Sequence, residues 1–112
     1  MEDMKKLTEE INTNLGRIGQ ESPDFMKAFS GLMQTVEKPG AVDTKTKELI
    51  SIALSVSKQC KWCIALHVKK ALSIGITREE IMESCQVAVL MGGGPSLMYV
   101  QSVIKAIDEF SE

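Results

Sequence analysis

The chain has 112 residues, 44% of them hydrophobic and 25% charged, with a formal net charge of −2. This composition is that of one globular domain over residues 1–112 and not of a disordered chain. Basic pairs such as Lys69-Lys70 are interpreted as solvated helix faces, so we expect no nucleic-acid partner. The first residues are charged and no segment is predicted to span a membrane, so we expect a cytoplasmic protein.

Helical periodicity accounts for the N-terminal part of the chain. Apolar residues three or four positions apart over 4–18 form one stripe, which predicts a first helix that Gly19 ends. Ser22 followed by Pro23 is typical of an N-cap and a first helical residue, so a second helix is predicted from there. The apolar face of this second helix is expected to comprise Phe25, Met26, Phe29, Leu32 and Met33.

A third and a fourth helix follow the break at 39–40. Asp43 is the predicted cap of a helix over about 44–57, and the second half of that helix is apolar around most of its circumference. A helix of this kind is expected to be buried on more than one side. The fourth helix is predicted over about 60–74, with Gly75 in a left-handed conformation at its C-terminus.

Two further helices complete the predicted bundle. Thr77 and Glu80 have the capping-box spacing that begins a fifth helix, which the glycines at 92–94 are expected to end before Pro95 begins a sixth. With about six helices and no strand, the sequence predicts an all-α, single-domain helical bundle. The third and fifth helices are apolar nearly all round, so we expect them to cross in its centre and also to bury surface against other subunits.

The most informative motif is Cys60-x-x-Cys63-x-x-x-His67. In a reducing compartment three cysteines are not a disulfide framework, which favours redox catalysis or metal binding. Positions i, i+3 and i+7 of a helix share one face, so both sulfurs and the imidazole are expected to lie along it. The helix N-terminus favours a thiolate at Cys60, and His67 is placed one turn beyond Cys63 to take or give its proton.

These three groups are typical of thiol–disulfide chemistry. One sulfur attacks an oxidised substrate, the other resolves the product into a disulfide, and an external dithiol reduces that disulfide. The scheme requires no cofactor. A hydroperoxide and a small disulfide both fit it as the substrate, and the residues do not separate them.

Glu48, eleven intervening residues and then the Cys60-x-x-Cys63-x-x-x-His67 motif resemble an active-site signature. It is that of the AhpD-like alkylhydroperoxidase branch of the carboxymuconolactone decarboxylase family, and the resemblance covers about residues 20 to 110. It implies an all-α fold assembled as a homo-oligomer, often a hexamer, with a proton relay of Glu48, His67 and Cys63. It also implies that Cys63 attacks the peroxide, while the more exposed Cys60 resolves it and meets a dithiol or thioredoxin-like reductant.

Two features qualify this mechanism for the present chain. The helix dipole favours Cys60 as the more acidic sulfur, whereas the neighbouring imidazole favours Cys63. We assign the peroxide to Cys63 and exchange with the reductant to Cys60. The AhpD pattern also has a histidine just before the second cysteine, where this chain has Trp62. The loss of that proton carrier predicts weak peroxidase activity and favours reduction of another disulfide.

Three other functions are compatible with the motif. Cys60, Cys63 and His67 are suitable zinc ligands that Cys85 or Glu48 can complete, although only one ligand pair is present. A helical oligomerisation module with incidental cysteines is the second alternative. A decarboxylase or other lyase using Glu48 and His67 is the third, which is disfavoured because the family's lactone decarboxylases generally lack the cysteine pair. Outside a metal site, Cys85 is predicted to be a buried, inert thiol.

Overall fold

The computed structural model describes residues 3–111 as five α-helices. They are α1 (Met4–Glu21), α2 (Pro23–Glu37), α3 (Thr44–Ser57), α4 (Lys61–Ser73) and α5 (Arg78–Phe110). No strand occurs within residues 3–111, and the all-α prediction is confirmed. The predicted number of about six helices is wrong, because the two helical segments on either side of a kink at Gly93 form one continuous element.

The expected boundary between a fifth and a sixth helix is a bend inside α5. Gly93 has φ 68° and ψ −151°, a backbone conformation essentially restricted to glycine. Pro95 follows within the same helix, where it fits the first turn after the bend because its missing N–H has no helical acceptor there. The helical conformation is therefore interrupted at Gly93, and α5 consists of two helical segments that meet at this kink.

Caps at the starts of α3 and α5 agree with the sequence. Asp43 accepts a hydrogen bond from the Thr46 amide at 2.8 Å, and α3 covers the predicted range. Thr77 and Glu80 form the reciprocal capping box at the start of α5. Gly75, just past the end of α4, has the predicted left-handed conformation with φ 86°.

The boundary between α1 and α2 differs from the prediction. α1 continues through Gly19 to Glu21, since a single glycine weakens a helix by only about 1 kcal/mol. Ser22 then stands before Pro23 as predicted, but its side chain makes no capping hydrogen bond. The two helices are consequently joined by a single residue.

The core lies where α3, α4 and α5 cross, and the N-terminal end of α1 packs onto it. Its largest fully buried apolar side chains are Met4, Ile52, Val56, Ile64, Val68, Ile81 and Val103. Each buried side chain of this size contributes about 1.5–3 kcal/mol by removal from water. The packing of α3 on α5 is the most extensive, as expected for two helices that were predicted to cross in the centre of the bundle.

Helix α2 lies outside this core and has no buried residue. It packs on α1, and its apolar side chains Phe25, Phe29, Leu32, Met33 and Val36 stay exposed. Polar contacts hold its C-terminal end: Lys47 of α3 donates to the carbonyl oxygens of Val36 and Lys38. Lys70 of α4 forms an ion pair with Glu37. The position of α2 therefore depends on its packing against α1 and on charged side chains of α3 and α4.

Helix α5 has the length and composition of a membrane-spanning helix, contrary to the prediction. It has 33 residues, and its most apolar 18-residue window has a mean hydropathy of 1.4, with 22% of that window buried inside the bundle. The helix also bends at Gly93 and supplies Ile81, Cys85, Val103 and Ile107 to the core. It is a core helix that leaves part of its apolar surface exposed.

Candidate active site

The two cysteines of the motif lie where α3 turns into α4. Gln59 has φ 56°, and Cys60 follows it as the N-cap of α4. Its Sγ accepts a hydrogen bond from the Cys63 amide at 3.2 Å and forms a disulfide with the Cys63 Sγ. Both cysteines are half-buried, so the disulfide is within reach of a reductant. The structure thus brings together the two sulfurs that the spacing paired.

Glu48 of α3 and His67 of α4 form a hydrogen-bonded pair beside this turn. Nδ1 of His67 lies 2.9 Å from Oε1 of Glu48. Glu48 is 2% exposed, whereas the imidazole is half-buried. Because Nδ1 faces the carboxylate, Nε2 is the ring nitrogen left for proton exchange with another group.

The Glu48 carboxylate has a second charged neighbour. Burial raises its pKa, but the hydrogen bond and charge of His67, together with Lys70, lower the pKa by more, to below its ordinary value of 4.5. Nζ of Lys70 lies 3.6 Å from Oε2, so the two carboxylate oxygens face different partners. Glu48 is therefore ionised near neutral pH, and its carboxylate can orient His67 through this hydrogen bond.

Two cavities meet at Ser51 and His67, which line both. The smaller, of about 260 Å³, also contains Cys63, beside Leu54, Ser55 and Lys58. The larger, of about 510 Å³, lies between α2 and α4 and is lined mainly by apolar side chains, namely Phe29, Leu32, Met33, Val36 and Leu66. Cys63 and the imidazole thus share one cavity, and the imidazole connects that cavity to an apolar one.

Trp62 takes the place of the additional histidine in the AhpD pattern. Its Nε1 donates a hydrogen bond to Oε2 of Glu10 in α1 at 3.1 Å, and Nζ of Lys61 lies 4.9 Å from its ring centroid. An indole donates this proton but does not exchange it in catalysis. Trp62 therefore links α4 to α1 beside the disulfide and is no substitute for a proton carrier.

Cys85 is separate from the other two cysteines. It is 1% exposed in α5, and burial raises the pKa of its thiol to about 11, so the prediction of a buried thiol is confirmed. It lines a third cavity with Met82, Val89 and Leu97. Among residues 3–111, no three His, Cys, Asp or Glu side chains are grouped as metal ligands.

Sequence reasoning missed Lys70 and Glu10. The Lys69-Lys70 pair was interpreted as a solvated face, which is wrong for Lys70 because it pairs with Glu37 and Glu48. The spacing of three residues from His67 was the only local signal for it, because such residues share a helix face. Nothing in the local sequence marked Glu10 as a partner of the indole, since the two residues are 52 positions apart.

Comparison with known proteins identifies the family of this helical bundle with its Cys-x-x-Cys turn and Glu–His pair. The profile of the carboxymuconolactone decarboxylase family matches residues 23–106, and the chain belongs to that family. A solved family member from Legionella pneumophila is 46% identical and superposes with a TM-score of 0.94 over 97% of each chain. An uncharacterised protein of Cupriavidus necator is 38% identical over 95% of this chain and 94% of its own length.

The AhpD-like branch is also represented among the relatives. The alkyl hydroperoxide reductase AhpD of Corynebacterium aurimucosum is 33% identical over 84 residues, which are 74% of this chain and 47% of that enzyme. The chain thus spans about half the length of this AhpD. The resemblance to the family and to its AhpD-like branch that the motif indicated is confirmed.

Proposed function

We propose that this protein is a thiol-dependent oxidoreductase that uses Cys60 and Cys63 to reduce a hydroperoxide or a small disulfide. The observation that carries the proposal is the cavity shared by Cys63 and His67, with ionised Glu48 bound to the other side of the imidazole. The likeness to AhpD supports a redox reaction over the other chemistries of these residues. Such an enzyme needs no cofactor, because the electrons come from the two thiols.

With a hydroperoxide, Nε2 of His67 takes the proton of the Cys63 thiol, and Glu48 stabilises the imidazolium. The thiolate attacks the terminal peroxide oxygen: an S–O bond forms, the O–O bond breaks, and the alkoxide leaves as an alcohol with the proton from His67. The Cys60 thiol then attacks the Cys63 sulfenic acid. The S–S bond forms and one water molecule leaves.

An external dithiol or thioredoxin-like protein completes the cycle. Its thiolate attacks Cys60, and Cys63 leaves as a thiolate that regains a proton from His67. The second thiol of the reductant then displaces Cys60, so the reductant leaves as a disulfide. With a disulfide substrate the same steps run in the other direction, and the electrons pass from the enzyme to the substrate.

The substrate class depends on proton supply. With Trp62 in place of a histidine, the leaving alkoxide has one proton carrier fewer, which favours slow turnover of hydroperoxides. The thiol formed from a leaving thiolate has a lower pKa than the alcohol formed from a leaving alkoxide. The cleavage of a disulfide therefore depends less on that proton carrier. Both substrate classes therefore belong in the first assays.

The direct test is intact mass with peptide mapping of reduced, demetallated protein before and after one equivalent of organic hydroperoxide. We expect a loss of about two mass units confined to a Cys60–Cys63 bridge. An unchanged mass would contradict a peroxidase. In the protein as purified, thiols protected by bound zinc would indicate the metal site, and a reaction that survives replacement of both cysteines would indicate a lyase. A protein active in none of these assays would be an interaction module.

We further infer that the chain works as a homo-oligomer. Leu90 and Met91 of α5 are 80% and 83% exposed, and most of the apolar side chains of α2 stay exposed within one chain. Apolar surface of this extent is typical of an interface. The family resemblance suggests a hexamer, and no basic stripe indicates a nucleic-acid partner.

A further inference from the structure

Lys70 connects the Glu48–His67 pair to the wall of the apolar cavity. Its Nζ forms an ion pair with Glu37 in the last turn of α2 and lies 3.6 Å from Oε2 of Glu48 in α3. His67 stands one turn earlier on the same helix and reaches the other oxygen of Glu48. One ammonium group therefore contacts both the buried carboxylate and the helix that lines the apolar cavity.

The surroundings of Lys70 explain why the contact with Glu48 matters. The side chain of Glu48 is 3% exposed, whereas those of Lys70 and Glu37 are 39% and 36% exposed. A buried carboxylate needs a partner for each oxygen to stay charged, and Lys70 supplies the one that His67 does not. Burial lowers the pKa of Lys70, but pairing with Glu37 and Glu48 raises it by more, so it stays protonated.

The second contact fixes α2. That helix buries no side chain, and beyond α1 its described anchors are the pair between Lys70 and Glu37 and the hydrogen bonds from Lys47 to its last carbonyl groups. Phe29, Leu32 and Met33 of α2 line the cavity that opens on His67. Loss of the Lys70 contacts would therefore leave both α2, which lines the cavity, and the Glu48 carboxylate less firmly held.

We propose that Lys70 is a positioning residue of the thiol site, which holds the Glu48 carboxylate toward His67 and fastens α2 beside it. The inference rests on the proposed function, since the pair is useful to the reaction only if His67 exchanges protons with Cys63. The charged groups that pair with Lys70 are Glu37 from α2 and Glu48 from α3, and the titratable His67 of its own helix contacts the other oxygen of Glu48. Lys47 of α3 lines a neighbouring cavity with both glutamates.

The test compares Lys70→Met with Lys69→Met, Lys70→Arg and the wild type. Lys69 is the matched control because it removes the same charge one residue away, where its Nζ lies 5.8 Å from the Phe110 ring centroid. In Lys70→Met the Glu48 carboxylate loses a cation, so we expect the acidic limb of the kcat/KM profile to move to higher pH. At the acidic end of the profile we expect kcat/KM to fall about tenfold. This loss is smaller than the full rate enhancement that a general base contributes. Lys70→Arg should restore the profile.

Three results would overturn the inference. The first is an acidic limb of the kcat/KM profile that does not move in Lys70→Met, and the second is an equal movement of that limb in Lys69→Met. The third is a loss of kcat/KM that is the same at all pH values and that Lys70→Arg does not restore. The titration of the Glu48 carboxyl carbon by NMR decides the matter without turnover, because its pKa should be higher in Lys70→Met than in Lys69→Met. If the wild type reduces neither substrate, the proposed function fails, while this titration still reports on the contact.

A double-mutant cycle tests the link to α2. Glu37→Gln should raise KM for a bulky apolar peroxide such as cumene hydroperoxide, and leave KM for hydrogen peroxide unchanged. In the Lys70→Met background, Glu37→Gln should have no further effect, because the contact is already lost. Additive effects of the two substitutions would show that α2 is fixed in another way and would overturn this part of the inference.

Discussion

Nδ1 of His67 lies 2.9 Å from Oε1 of Glu48, although the two residues are 19 positions apart in the chain. The contact joins α3 to α4, the two helices that flank the cysteine turn. It forms only when these helices pack, so the same hydrogen bond belongs to the fold and to the candidate proton relay. A substitution at either residue is therefore expected to change both stability and reactivity.

The effect of Glu48 on stability can be distinguished from its effect on reactivity by measuring the variant Glu48→Gln at different pH values. The pKa of Glu48 in the folded protein lies below its ordinary value of 4.5, despite the opposing effect of burial, because of His67 and Lys70. Its ionised form therefore contributes stability that is fully present above that ordinary value and is lost as the pH falls through the folded pKa. We expect Glu48→Gln to be less stable than the wild type near pH 7, and the difference to shrink at about pH 3.5.

Urea unfolding at the two pH values measures this difference, and Glu9→Gln is the control because Glu9 is exposed on α1. At neutral pH, we also expect Glu48→Gln to lose about 10²-fold in kcat/KM, because His67 then lacks the carboxylate that orients it. A stability difference that is the same at both pH values would contradict the assignment of an ionised, stabilising Glu48.

The sequence predicted what depends on neighbours along the chain. The caps at Asp43 and Thr77 and the pairing of Cys60 with Cys63 follow from spacings of three residues along the chain. These features do not depend on how the helices pack. They were accordingly the most successful predictions.

The contacts between helices could not be predicted from spacings along the chain. Glu48 was singled out through the family resemblance and not through its local sequence. Lys69 and Lys70 look alike in the sequence, and only the packing of α2 and α3 against α4 distinguishes the lysine that pairs with Glu48. The end of α1 was misplaced at Gly19, because a glycine permits a break but tertiary packing decides whether one occurs.

Single cysteine variants test which sulfur meets the peroxide. After one equivalent of hydroperoxide, Cys60→Ser should accumulate a Cys63 sulfenic acid that dimedone traps, because no partner thiol remains to form the bridge. Cys63→Ser should give little adduct at Cys60, which does not line the cavity with His67. Cys85 is an internal control, since burial raises its pKa to about 11 and leaves it a thiol.

Peptide mapping locates the adduct in each variant. Equal trapping at Cys60 in Cys63→Ser would contradict the assigned order and would favour the helix dipole over the imidazole as the activating influence. Trapping at Cys85 in the folded protein would contradict its buried, protonated state.

A charge on the exposed face of α5 tests the inferred oligomer. Leu90 is 80% exposed in the single chain, so Leu90→Glu should leave the fold of the subunit unchanged while placing a charge in an apolar interface. We expect a lower molar mass by size-exclusion chromatography with light scattering. Gln101→Glu, an exposed polar position on the same helix, is the control and should keep the wild-type mass. A wild type that is already monomeric would contradict the inference.

The three glycines at the bend of α5 form a matched series for stability. Gly93 has φ 68° and ψ −151°, so an alanine there forces a strained backbone, and we expect Gly93→Ala to lose about 1–3 kcal/mol. At Gly92 an added Cβ would lie 1.9 Å from Oγ and 3.0 Å from Cβ of the buried Ser96. We expect Gly92→Ala to lose about 1–3 kcal/mol through overpacking.

Gly94 is the control in this series, because an added Cβ meets no atom within 4 Å and its φ lies outside the left-handed region. Gly94→Ala should be neutral or more stable by about 0.4–1 kcal/mol, since alanine restricts the unfolded chain. Thermal unfolding resolves these differences, as 1 kcal/mol shifts Tm by about 4–8 °C in a domain of this size. The added substitution Ser96→Ala should recover stability in Gly92→Ala but not in Gly93→Ala, because it relieves a clash and leaves a strained backbone unchanged. Equal losses at all three glycines would show that the bend follows from general helix weakening and not from the conformation of Gly93.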